Sequence, residues 1–91
     1  MGNIHVQVEF NLIIGIIDLS FPETAPLSDV KREVVDRFNR YESSIAPRER
    51  SKHYPLKPSD KRLRWMCDKP GGSLKSNGVG TGDLIQLHFF E

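Results

Sequence analysis

Cysteine is almost missing from this 91-residue chain: Cys67 stands alone, so no disulfide can close within it. Small domains of oxidising compartments commonly lean on such staples, and doing without them favours a reducing, cytoplasmic setting. Long apolar runs are lacking too, and none approaches the ~20 residues that span a bilayer. No secretory leader pattern opens the chain. Met1 and Gly2 suit myristoylation, but Val6 stands where that motif requires Ser or Thr. Nor does one sign of charge dominate. Lys plus Arg number 13 and Asp plus Glu 12, a net charge of +1. A dedicated nucleic-acid binder normally carries a large positive field, so that class is disfavoured.

What is present is ordinary for a globular protein, 37% hydrophobic and 27% charged residues. The length predicts one domain over 1–91. Ile4, Val6, Val8 and Phe10 alternate with His5, Gln7 and Glu9, the period of a half-buried strand. After a break at Asn11, Ile13, Gly15, Ile17, Leu19 and Phe21 share a second face, while Asp18 and Ser20 oppose it, which makes a hairpin. Pro22 and Pro26 stop the sheet. From there Leu27, Val30, Val34, Phe38 and Tyr41 recur at helical steps, an amphipathic helix of about four turns. Pro26 and Asp29 suit its start, and Arg37 and Arg40 its end.

Residues 42–61 hold Pro47, Pro55, Pro58 and many charges, which reads as a long irregular loop, either functional or mobile. Arg62–Cys67 is predicted as a third strand with Leu63 and Trp65 inward and Arg62, Arg64 and Met66 outward. A turn follows at Lys69-Pro70-Gly71-Gly72, Leu74 opens a short edge strand, and the last strand runs Leu84–Phe90 with Ile85, Leu87 and Phe89 inward. The fold class is therefore α+β, one helix on a mixed sheet of four or five strands.

Catalytic and metal chemistry find little support. His5, His53 and His88 lie on different elements, and a metal needs three or four convergent ligands. His5 and His88 become neighbours only if the first and last strands pair suitably. Cys67 closes a strand in a domain too small for a deep pocket, a spectator position. Gly78-Val79-Gly80-Thr81-Gly82 lacks the preceding strand, the Lys-Ser/Thr pair and the following helix of a phosphate loop, and reads as a turn. No enzyme activity, cofactor or metal is expected.

The element order resembles the ubiquitin-like β-grasp superfamily over essentially the whole chain. Leu27-Ser28-Asp29-Val30-Lys31 is similar to the start of the ubiquitin helix, and Gly78-Val79 followed by Gly82-Asp83-Leu84-Ile85-Gln86-Leu87 matches a recurrent approach to the final strand. Within the superfamily, Ile17-Asp18-Leu19-Ser20-Phe21, Ile45-Ala46-Pro47-Arg48-Glu49 and the Gly-Val-Gly-Thr-Gly-Asp stretch resemble the YukD-like group, accessory proteins of type VII (WXG100) secretion systems. The toluene monooxygenase system protein B family, sharing Ala46-Pro47-Arg48-Glu49 and a Phe-Glu ending, is the second resemblance and implies an auxiliary subunit of a multicomponent monooxygenase. Phe89-Phe90-Glu91 offers no Gly-Gly tail, and Arg64 replaces an outward apolar residue of ubiquitin, so a conjugating modifier is not expected.

The resemblance implies a non-enzymatic accessory or adaptor whose partners are proteins, including a membrane-associated secretion complex, with a weak homodimer left open. Two features supply interface candidates. Leu12, Ile14 and Ile16 face away from the core if Ile17 and Leu19 face in, unless the long loop covers them or the register shifts. The segment 48–64 concentrates cations, of which Arg48, Arg50, Arg62 and Arg64 are candidates for an acidic partner or a phosphate backbone, with a solvated loop as the bland alternative. His88 joins them on the outer sheet face. Nucleic-acid binding through the basic loop lacks interleaved aromatics there, with only Tyr54 available.

Overall fold

The computed structural model describes residues 2–13, 15–66 and 72–91. Alternating apolar residues produce strands β1 (Asn3–Phe10) and β2 (Ile16–Pro22), joined by a tight hairpin. Helix α1 (Leu27–Ser43) follows, then β3 (Leu63–Trp65) and β4 (Leu84–Phe89), with short 3-10 turns at Pro47–Glu49 and Lys75–Asn77. The sheet order is β2-β1-β4-β3, antiparallel at both flanks and parallel where β1 meets β4.

One face of each strand enters the core: Val6, Val8 and Phe10; Ile17, Leu19 and Phe21; Leu63; Ile85, Leu87 and Phe89. Helix α1 covers that face with Leu27, Val30, Val34, Val35 and Phe38, and Phe38 meets Phe10 edge-on at 6.0 Å. Pro26 caps the helix N-terminus, where a missing N–H is harmless, and Asp29 occupies its first turn.

The end of the helix departs from the expected stripe. Tyr41 is 58% exposed, and Glu42 takes the inward position instead. A four-residue step from Val34 to Phe38 leads next to Glu42, and its Oε2 accepts the Ser51 backbone N–H at 2.8 Å. A carboxylate is tolerated inside because that amide satisfies it. Leu74 forms no strand: Ser73 makes an isolated bridge to Pro26, while Leu74 itself is fully buried. The Leu74 and Lys75 amides bond to Ala25 and Glu23, which ties this segment to the helix entrance rather than the sheet, so the described residues form four strands. Strand β3 is shorter than expected, and Trp65 is half-buried. Cys67 and the turn residues Lys69, Pro70 and Gly71 lie outside the described residues.

Residues 44–62 carry little regular structure yet are fastened at several points. Arg50 donates through Nε to the carbonyls of Glu42 and Ile45 and through Nη2 to that of Ser43, which caps the helix C-terminus. Asn39 bonds both the N–H and the C=O of Leu56, whose side chain is buried in the core. Glycine is required at Gly78 and Gly82, with φ of 71° and 91°, to turn the chain into β4.

Candidate interaction surface

Period-two geometry that sends odd-numbered residues of β2, β3 and β4 inward sends their even-numbered neighbours to the sheet face opposite α1. On β1 the parity is reversed, so His5, Gln7 and Glu9 share that open face. Backbone bonds from Met66 N–H to Gln86 and from Phe90 N–H to Arg62 extend the β3–β4 ladder by a residue at each end, so Met66 and Phe90 keep the outward parity. Four of the five large hydrophobic residues exposed among the described residues therefore stand on one face: Ile16, Met66, Leu84 and Phe90. Tyr41 is the fifth, on the helix.

Polar groups stand between these apolar side chains. Glu9 lies across from Ile16 on one side and Gln86 on the other, and Gln86 Nε2 donates to Glu9 Oε1 at 3.3 Å. Arg64 lies opposite His88. Its guanidinium sits 5.8 Å from the Phe90 ring centroid, and His88 is 6.0 Å from the same ring. Among the described residues no carboxylate is paired with Arg64. The arrangement is an apolar surface carrying the Arg64 cation, which no carboxylate among the described residues compensates.

The other sequence candidates occupy different environments. Leu12 is half-buried and packs against the core beside Ile13. Ile14 lies outside the described residues. Arg48 is exposed on the 3-10 turn, remote in sequence from the sheet, whereas Arg50 is half-buried and engaged with helix carbonyls and the Tyr54 ring. Arg62 is committed to Asp60, with Nε to Oδ1 at 3.1 Å and Nη2 to Oδ2 at 2.9 Å, and lies over Phe89. His5 and His88 do not meet: the parallel register levels His88 with Asn11, about 20 Å along β1 from His5 at strand rise. Among the described residues no three His, Cys, Asp or Glu side chains converge to hold a metal. Leu84 and Phe90 were not singled out from the sequence, although they share parity with Gln86 and His88.

The paired Arg62 has an electrostatic consequence. Its side-chain hydrogen bonds, aided by its backbone N–H, lower the Asp60 carboxyl from 3.8 to about 2. Lys52 and then His53 likewise hold the Glu91 carboxyl below its ordinary range, through contacts of 3.0 and 2.8 Å. A depressed carboxyl stabilises the fold above its unfolded value and ceases to do so as pH falls through its folded value. The Asp60–Arg62 clasp is therefore expected to stay closed at pH 4 and open as pH approaches 2. A carbon-detected NMR titration of Asp60 checks this, and a midpoint at or above 3.8 contradicts it.

No protein-family model matches the chain, and no curated protein does. Among solved structures it is similar to the EccD5 ubiquitin-like domain from Mycobacterium xenopi, at 20% identity and a TM-score of 0.63, covering 100% of this chain and 98% of that one. The chain has a ubiquitin-like fold, with one helix on a mixed four-stranded sheet.

Proposed function

We propose that this chain is a non-enzymatic accessory domain that binds another protein through its open sheet face, as a YukD-like component of a type VII secretion apparatus on the cytoplasmic side. The observation that carries the binding role is the concentration of Ile16, Met66, Leu84 and Phe90 on the face that α1 leaves uncovered. An exposed apolar cluster interspersed with polar groups is the usual composition of a recognition surface. Arg64, held beside an aromatic ring and without an acidic partner among the described residues, adds a directional contact for a partner carboxylate. The secretion assignment rests on the resemblance of Ile17–Phe21, Ile45–Glu49 and the Gly78–Asp83 stretch to the YukD-like group. The fold shared with the EccD5 domain supports the ubiquitin-like part of this reading. No described helix is long and apolar enough to cross a membrane.

Affinity capture from solubilised membranes of the native host tests the proposal. Tagged wild-type protein is expected to retain secretion-apparatus subunits, and Ile16→Glu to retain at least about tenfold less, the effect of placing a charge in an apolar contact. Because Ile16 is 51% exposed, the same change should alter folding stability by less than about 0.5 kcal/mol. Equal capture by both proteins removes the face from consideration. Capture without any secretion subunit removes the apparatus.

A further inference from the structure

Strand β2 is the outermost strand and is bonded to β1 alone. It is seven residues long, against three for β3 at the opposite edge. Its register with β1 runs one-to-one from Asn3–Pro22 to Glu9–Ile16, with no bulge. Among the described residues, no loop or strand bonds the backbone of Ile16–Phe21 on its other side. Proteins usually blunt such an edge with lysines, an internal proline, a bulge or a covering segment, because unpaired N–H and C=O groups template a further strand. Here the only charge is Asp18, and Pro22 stands at the very end.

A second observation adjoins the first. Where β2 ends, a cleft of about 390 Å³ opens towards the first turns of α1, lined by Phe21, Pro22, Ala25, Asp29, Arg32 and Glu33 among others. The buried Phe21 and Ala25 give it an apolar floor. Its rim is acidic in balance: Arg32 is joined to Asp29 at 3.3 Å, which leaves the exposed Glu33 without an ion-pair partner among the described residues. A free ladder beside a side-chain pocket provides both halves of strand-addition recognition, backbone bonds for affinity and a pocket for specificity.

We propose that the free edge of β2 receives an extended segment of a partner protein as a fifth strand, seating one apolar side chain in the cleft and pairing a Lys or Arg with Glu33. Charge selects this occupant over a second copy of β2. Ile16-Ile17-Asp18-Leu19-Ser20-Phe21-Pro22 carries no cation and would bring Asp18 to a rim already acidic. The edge shares Ile16 with the open face of the proposed function, but the cleft at Phe21 and Glu33 lies apart from Arg64, Gln86 and His88, so the place of exchange protection tells the two surfaces apart.

The test pans a random heptapeptide display library against the full chain. Enriched peptides are expected to alternate apolar and polar residues and to carry at least one Lys or Arg. Synthesised singly, they should slow hydrogen exchange at residues 16–21. Of the two phases of alternate N-methylation, the one that blocks the amides facing β2 should weaken binding at least about tenfold, since each blocked amide removes a ladder bond. Glu33→Lys, an exposed change compatible with folding, should shift the enriched set towards Asp and Glu. Four results overturn the proposal: no enrichment over bare support, peptides that bind equally well when N-methylated in either phase, protection centred on Arg64, Gln86 and His88, or protection of β2 that grows with protein concentration in the absence of peptide. The last result would assign the edge to a second copy.

Discussion

Replacing Phe38 with alanine is expected to destabilise this fold by about 3–5 kcal/mol. Phe38 is fully buried on the helix and meets the equally buried Phe10 ring edge-on, so its removal opens a cavity between the helix and the sheet. A domain of this length has a total stability of roughly 5–14 kcal/mol. The loss therefore takes a large fraction of it. Urea denaturation should show a lower midpoint with an unchanged slope, because the surface exposed on unfolding hardly differs. Phe90→Ala provides the control. Its ring is 41% exposed on the open face, and it should cost less than about 1 kcal/mol. Similar losses at the two positions would mean that the faces of the sheet have been assigned wrongly.

The parts of this fold that were legible in the sequence are those set by local period. Val6, Val8 and Phe10, or Ile85, Leu87 and Phe89, declare their common face by alternation alone, and Leu27, Val30, Val34 and Phe38 declare theirs by helical spacing. Pro26 and Asp29 mark the helix start for reasons contained in a few neighbouring residues. The helix end was misread because its decisive contact is not local. Glu42 is inward only because the Ser51 amide arrives to meet it. The same blindness affected the cations. Arg50 and Arg62 look alike among the basic residues, but one caps a helix and the other closes on Asp60, while Arg64 stands on a strand with no carboxylate partner among the described residues. Asn11 read as a break in the hairpin, yet its side chain bonds both the C=O and the N–H of Phe89, across 78 positions of sequence. The open face was within reach: carrying the parity of Gln86 and His88 one step each way finds Leu84 and Phe90. The distance between His5 and His88 was not, since only the parallel register of β1 and β4 sets it.

Asn39 carries the second large expectation. Its Nδ2 donates to the Leu56 carbonyl at 2.8 Å, and its Oδ1 accepts the Leu56 N–H at 2.9 Å, so a carboxamide imitates the edge of a neighbouring strand. Leu56 is 4% exposed, and water has little access to replace either bond. Asn39→Ala strands a donor and an acceptor together and is expected to cost about 2–6 kcal/mol, at roughly 1–3 for each unsatisfied group. Asn39→Asp separates the two bonds. At neutral pH its carboxylate still accepts the Leu56 N–H but sets a negative charge against the Leu56 carbonyl, so it should lose about as much as alanine. Protonation returns a donor to that carbonyl. The folded state thus favours the protonated form, and linkage requires the gap between Asn39→Asp and wild type to narrow as pH falls. Paired urea curves at pH 7 and pH 4 measure that gap. Because wild type is compared at each pH, losses at other carboxylates cancel, and a gap that stays constant or widens in acid would show that the carbonyl bond contributes nothing to holding residues 44–62 against the helix.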